Sequence, residues 1–295
     1  MGIDCNGAAF LKYCSKKRPF GKTATLGRQR LVRTKQDINL LFKYPKDYDL
    51  GNWGDDKLLK KEFGSSEIDI YDNSDYEGAN KIADFGEPIK ESDLYDTFLD
   101  FGSSEHIFNI SQSFKNIIQL TKIGGTIIHS LPANNNFCHG FYQVAPELFF
   151  ALYSPKNGFS ETEIFLYEDR SKHLQSFIIK VDPSKIANFP VKQIVSNNRY
   201  DMTMWVKTKK IEKKEIKNVF QVQWSTKWKN KDDENSHHKS IEASATNYLK
   251  KFNLIYPTLR RIYRLINFFR YSLKERKYEN YKSLGKKMRI EDLIK

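Results

Sequence analysis

Glu105 and His106 are adjacent, and His139 follows in the run Pro132-Ala133-Asn134-Asn135-Asn136-Phe137-Cys138-His139-Gly140. Imidazole ordinarily titrates near 6.5, so His139 or His106 can take the proton of a hydroxyl as its oxygen attacks carbon. Glu105 would orient one of the two rings. The alternative is that Glu105, His106 and His139 together hold a divalent metal, which lowers the pKa of a bound hydroxyl. Asn134, Asn135, Tyr142 and Gln143 add hydrogen-bonding groups for a polar acceptor. His129 sits inside an apolar run and reads as structural, and His237-His238 lie in a polar stretch.

A second group of residues suits a nucleoside. Asp72 follows the alternating run Glu67-Ile68-Asp69-Ile70-Tyr71, where a carboxylate can accept from ribose hydroxyls. Asp75 and Glu77 are close alternatives. Asp84 is placed for an adenine amino group, with Phe85 offering a flat apolar face, and Asp100 closes another apolar run. Gly27 permits close backbone approach, but Gly27-Arg28-Gln29 is not G-x-G-x-x-G. A pyrophosphate cradle therefore has no support, which counts against dinucleotide and P-loop chemistry. A nucleoside without phosphates, such as S-adenosylmethionine, remains compatible.

These residues need elements that bring them together. Periodicity, caps and breakers predict helices over 8–16 (with Asn6 as its cap), 37–43, 55–63, 110–120 and 146–152. They predict strands over 23–26, 67–71, 81–84, 95–101, 126–131, 164–167, 176–181 and 202–206. Gly124-Gly125 is expected to end the fourth helix and Pro132 to halt the strand before it. Strands alternating with helices imply an α/β, Rossmann-like, mostly parallel sheet, with ligands beyond the carboxyl ends of the strands.

Composition bounds the rest. The chain has 295 residues, 39% hydrophobic and 29% charged, enough apolar side chain for a core. No apolar run is long enough to cross a bilayer as a helix, and residues 1–20 lack the apolar core of a secretory signal. Cys5, Cys14 and Cys138 form neither a disulfide framework nor a zinc pattern, which fits a reducing cytoplasm. The net charge of +13 is uneven. Residues 1–195 hold 24 Lys and Arg against 25 Asp and Glu, whereas 196–295 hold 25 against 11. Leu259, Ile262, Tyr263, Ile266 and Phe269 recur at helical spacing among Arg260, Arg261, Arg264 and Arg270, a basic amphipathic pattern within a helix expected over 243–277. Such a segment packs on its own domain or a second subunit, or contacts a membrane surface; no nucleic-acid module is visible.

Several blocks resemble a family of class I S-adenosylmethionine-dependent methyltransferases found in bacterial surface-polysaccharide and sugar-modification clusters. They are Thr25-Leu26-Gly27-Arg28-Gln29, Ser74-Asp75-Tyr76-Glu77-Gly78-Ala79, Ser104-Glu105-His106-Ile107-Phe108-Asn109, Leu131-Pro132-Ala133-Asn134-Asn135, His139-Gly140-Phe141-Tyr142-Gln143 and Pro146-Glu147-Leu148-Phe149-Phe150. The resemblance covers about 1–210. It implies Gly27 beside the methionine part of the cofactor, with a contact at Arg28-Gln29, Asp72 at the ribose and Asp84 at the adenine. Distant metal-dependent O-methyltransferases carry a similar Glu-His step with a later His, matching Glu105, His106 and His139. Those enzymes also have an acid three residues before the Glu, where this chain has Gly102. The expectation is a methyltransferase domain over 1–210 and a basic, mostly helical extension over 211–295. The reaction expected is transfer of methyl from S-adenosylmethionine to an oxygen of a sugar, nucleotide-linked sugar or capsule precursor, with peripheral membrane contact or self-association through the basic segment. The competing expectation is a non-catalytic Rossmann-like adaptor, anchored to a membrane or polyanion by that segment.

Overall fold

The computed structural model describes residues 2–31, 39, 41–45, 48–49, 55–168, 177–187, 201–217, 219–221, 261–262, 265–266 and 284–295. Of the helix expected over 37–43, residues 39, 41 and 42 are helical; the polar stretch 224–238 lies wholly, and the helix expected over 243–277 largely, outside the described residues.

Among the described residues nine strands form one sheet: β1 (Gly21–Leu26), β2 (Ser65–Asp72), β3 (Lys81–Ile82), β4 (Tyr95–Phe101), β5 (Thr121–Asn134), β6 (Phe159–Glu168), β7 (Phe177–Val181), β8 (Met202–Lys210) and β9 (Gly285–Arg289). Their order is β3-β2-β1-β4-β5-β8-β6-β7-β9. The pairings among β1 to β5 are parallel, and those from β5 through β8, β6 and β7 to β9 are antiparallel. The parallel part has the 3-2-1-4-5 order of a doubly wound Rossmann-like sheet, with its switch point between β1 and β4. β9 pairs with β7, so residues 285–289 share a sheet with β1 to β8.

Alternation along the central strands explains the two-sided burial. Phe98 of β4 and Ile127 of β5 face one core, with Phe114 and Ile117 of α3 (Ile110–Leu120) and Phe149 of α4 (Pro146–Leu152). Leu99 and Ile128 face the other. That second core receives Phe10 of α1 (Cys5–Ser15), Leu58 and Leu59 of α2 (Asp55–Phe63), and Ile290 and Leu293 of α6 (Ile290–Ile294). A five-residue helix, α5 (Pro183–Ala187), follows β7.

Four local expectations are corrected. Asp4, not Asn6, caps α1: its Oδ1 accepts from the Gly7 amide at 2.7 Å, and Asn6 is buried inside the helix. Gly124-Gly125 does not end α3, which stops at Leu120, where the Thr121 hydroxyl donates to the Ile117 carbonyl at 2.7 Å. β5 begins there and runs through Pro132 to Asn134, with an irregularity in its pairing to β8 between Pro132 and Asn134 that accommodates the proline. β8 continues four residues past Val206, and the Lys210 ammonium, inside the protein, donates to Asp93 Oδ1 and the carbonyls of Ile118 and Thr121.

Candidate active site

Because β1, β2, β4 and β5 are parallel, Gly27, Asp72, the turn after Phe101 and Asn134 lie on one edge of the sheet. The turn after β4 is held at four points. Asp100, fully buried, accepts at Oδ1 from the amides of Ser103 (3.3 Å) and Ser104 (3.1 Å). Ser103 Oγ donates to the Leu26 carbonyl at 2.6 Å, joining this turn to the end of β1. Ser104 and Ser113 hydroxyls pair at 2.9 Å. The Glu105 carbonyl accepts from the Phe141 amide at 2.8 Å, which joins the turn to the loop after β5. Gly140 makes that contact close: at φ +73°, a Cβ there would sit 2.8 Å from Glu105 Cγ and 3.0 Å from Glu105 O.

The three expected catalytic residues converge. Glu105 Oε1 is 3.6 Å from His139 Nε2 and 3.8 Å from His106 Nε2, and the rings meet edge to face with centroids 5.0 Å apart. The ligand atoms of all three lie within 4.8 Å of one another. Glu105 is fully buried, and among the described residues neither of its carboxyl oxygens has a hydrogen-bond partner; buried His139 Nε2 also lacks one there. The imidazoles are half-exposed above it. Burial, and secondarily the charge of Asp100, push the Glu105 carboxyl up to about 8, so at neutral pH it is chiefly the neutral acid. Burial, then proximity to His139, holds His106 below its ordinary value, which keeps it a neutral imidazole able to accept a proton.

His129 is structural, as expected. Its Nδ1 lies 2.8 Å from Asp100 Oδ2 and its Nε2 lies 2.6 Å from the Tyr153 hydroxyl, all three groups buried. Asp100 thus spends its carboxylate within the protein, bracing the Glu105 turn rather than meeting a cofactor.

The residues expected to hold a nucleoside divide. Gly27 sits at φ +71° and donates its amide to the Tyr71 carbonyl at 2.7 Å, directly beside Asp72. Asp72 is half-buried at the end of β2, its Oδ1 accepting from the Asn73 amide. Asp84 is exposed beyond β3, its Oδ1 accepting from the Gly86 amide. Arg28 is turned inward, donating to the carbonyls of Glu77 and Gly78 and pairing with Asp55 and Asp56. Gln29 is buried and donates to the carbonyls of Leu26 and Gly27. Phe85 is core, its ring centroid 5.3 Å from Tyr71 and 6.0 Å from Phe98, so it is not the open face expected for a base.

The expected acceptor residues shape their own loop. Asn134 Oδ1 accepts from the Asn135 amide, and Asn135 adopts φ +61°. Gln143 Oε1 accepts from the Asn136 amide, and the Tyr142 hydroxyl donates to the Phe108 carbonyl at 2.6 Å. Sequence reasoning missed Gly140 and Ser103, which lock the turns together. It also missed Asp55, a buried carboxyl without a hydrogen bond, pushed up to about 6 by burial and by Asp56 against the opposing pull of Arg28. Gly140, within the His139-Gly140-Phe141-Tyr142-Gln143 block, was the one with a visible signal.

No family model and no curated protein matches the chain. Among solved structures it is similar to an S-adenosylmethionine-dependent methyltransferase of Thermotoga maritima, at 10% identity and TM-score 0.35 over 68% of this chain and 89% of that one. It is similar to a phosphoethanolamine N-methyltransferase of Haemonchus contortus bound to phosphomonomethylethanolamine and S-adenosylhomocysteine, at 13% identity and TM-score 0.43 over 70% and 53%. A third is the 1,6-didemethyltoxoflavin N1-methyltransferase of Burkholderia thailandensis, at 13% identity and TM-score 0.35 over 70% and 77%.

Proposed function

We propose that the chain transfers a methyl group from S-adenosylmethionine to an oxygen of a polar acceptor, a sugar, nucleotide-linked sugar or surface-polysaccharide precursor. The observation that supports this reading is Glu105, buried and unpartnered between two imidazoles at the switch-point edge of the sheet. Asp72 would meet the ribose and Gly27 the methionine part of the cofactor, on adjacent, paired strands; Arg28, Gln29, Phe85 and Asp100 serve the protein instead. Bound there, S-adenosylmethionine supplies an electrophilic methyl on a sulfonium leaving group. His139, with His106 as its alternate, takes the acceptor proton while the oxygen–carbon bond forms and the carbon–sulfur bond breaks. Neutral Glu105 adds no negative charge beneath the reacting oxygen and leaves the imidazole free to accept. The proton then passes from the half-exposed ring to water. Alignment of the two reactants provides much of the acceleration, on the order of several kcal/mol.

The test is calorimetry with S-adenosylhomocysteine followed by turnover. Saturable binding by the wild type, and a His139→Ala variant that binds equally well but turns over at least 100-fold more slowly, are expected. Undiminished turnover refutes the base assignment, and absence of binding refutes the whole reading.

A second reading is favoured by the same orphaned carboxyl. One carboxylate and two imidazoles are a donor set for a divalent cation. Glu105, His106 and His139 would hold it, and the ion would lower the pKa of the acceptor hydroxyl.

A further inference from the structure

Four side chains stand apart in exposure. Phe137 (90%), Tyr76 (89%), Phe108 (82%) and Phe141 (70%) are the most exposed large hydrophobic residues among those described; the next stand at 58%. All four follow carboxyl ends of parallel strands. Phe108 comes two residues after His106, and Phe137 and Phe141 flank His139 by two residues on either side. Their loops form one piece: the Phe141 amide donates to the Glu105 carbonyl, the Tyr142 hydroxyl to the Phe108 carbonyl, and the His139 amide to the Asn136 carbonyl.

Phenylalanine has no polar tip, and leaving one in water forgoes roughly 1.5–3 kcal/mol of burial. Exposed apolar patches rimmed by polar groups mark binding sites. Whatever covers these rings must be apolar towards them and polar towards the half-exposed imidazoles of His106 and His139. A bilayer interface, polar headgroups over apolar tails, meets both conditions, but the loops that follow β2 and β3 at this edge carry Asp72, Asp75, Glu77, Asp84 and Glu87, which oppose an anionic lipid surface. A pyranose satisfies both: its C–H face is apolar, its edge carries hydroxyls, and polarised C–H groups suit the negative face of an aromatic ring. We infer that Phe108, Phe137 and Phe141 form the acceptor subsite, stacking on the flat face of a sugar ring and presenting an edge hydroxyl to His139 and His106. This subsite rests on the methyl-transfer reading of the same residues and narrows it to acceptors that present a ring.

Saturation-transfer NMR tests it, using the methyl α-D-pyranosides of glucose, galactose and mannose as probes. At least one should receive saturation on its ring C–H protons from the wild type. Replacing all three phenylalanines by alanine should cut that signal at least fivefold. The triple leucine variant should lose it similarly, and the triple tyrosine variant should keep it within twofold, because the ring rather than apolarity is the recognised feature. The side chains are exposed, so unchanged circular dichroism is expected in each variant. Calorimetry with S-adenosylhomocysteine should give the same affinity in all. No signal from any pyranoside, or an equal signal from the alanine variant, overturns the subsite. So does co-sedimentation with phosphatidylcholine–phosphatidylglycerol vesicles that the alanine variant loses, which would make the rim a bilayer contact. Pyranoside contacts as expected without S-adenosylhomocysteine binding would uphold the subsite and refute methyl transfer instead.

Discussion

Glu105→Gln should make the protein more stable, and by an amount that grows with pH. Gln reproduces the shape of the neutral acid without a proton to lose. The Glu105 carboxyl lies at about 8 in the folded chain against an ordinary 4.5. For an acid whose folded value is raised, the unfolded chain ionises first as pH rises, so the native state is penalised. The penalty is absent below about 4.5, grows between 4.5 and 8, and is complete above 8. At about 1.4 kcal/mol per pH unit, the gap sets a ceiling of roughly 5 kcal/mol above pH 8 and roughly 3 kcal/mol at pH 7. The group is fully buried, so solvent screening does not shrink this as it would a surface charge. Urea denaturation of both proteins at pH 5, 7 and 9 measures it. The curves should nearly coincide at pH 5 and separate by more than 2 kcal/mol at pH 9. A constant difference across that range would refute the assignment of Glu105 as a neutral acid.

Gly140→Ala should destabilise by about 1–3 kcal/mol in the same assay, because the new Cβ meets Glu105 in a left-handed backbone; a silent substitution would contradict the lock between the two loops. Arg28→Met should cost about 3 kcal/mol by leaving Asp55 buried beside Asp56 without its cation, and urea midpoints decide it. Calorimetry with Mn2+ should show one saturable site in the wild type that Glu105→Ala abolishes if the cation reading holds; no heat of binding removes that reading.

Where one element carries a complete local signal, its limits were legible: 55–63, 95–101, 110–120 and 146–152 match α2, β4, α3 and α4. The failures are non-local. Gly124-Gly125 looks like a stop until β4 pairs alongside and draws 121–125 into β5. The strand expected over 202–206 continues to Lys210 because β5 and β6 pair alongside and the carbonyls of Ile118 and Thr121 receive Lys210. Phe85 looks available until Tyr71 and Phe98 close around it. The meeting of Glu105, His106 and His139 was legible because it needs only that β4 and β5 run parallel as neighbours. The inward turn of Arg28 was not, since α2 and the β2–β3 loop supply its partners.

β9 has a practical consequence. It hydrogen-bonds along β7, whose Ile178, Ile179 and Val181 are buried. A chain truncated at 210, the domain boundary expected from the sequence, would bare β7 as an apolar, unpaired edge and strip Ile290 and Leu293 from beneath α1. Such edges recruit strands from other molecules. Insolubility of that fragment would therefore report a lost seam and nothing about what the basic segment binds.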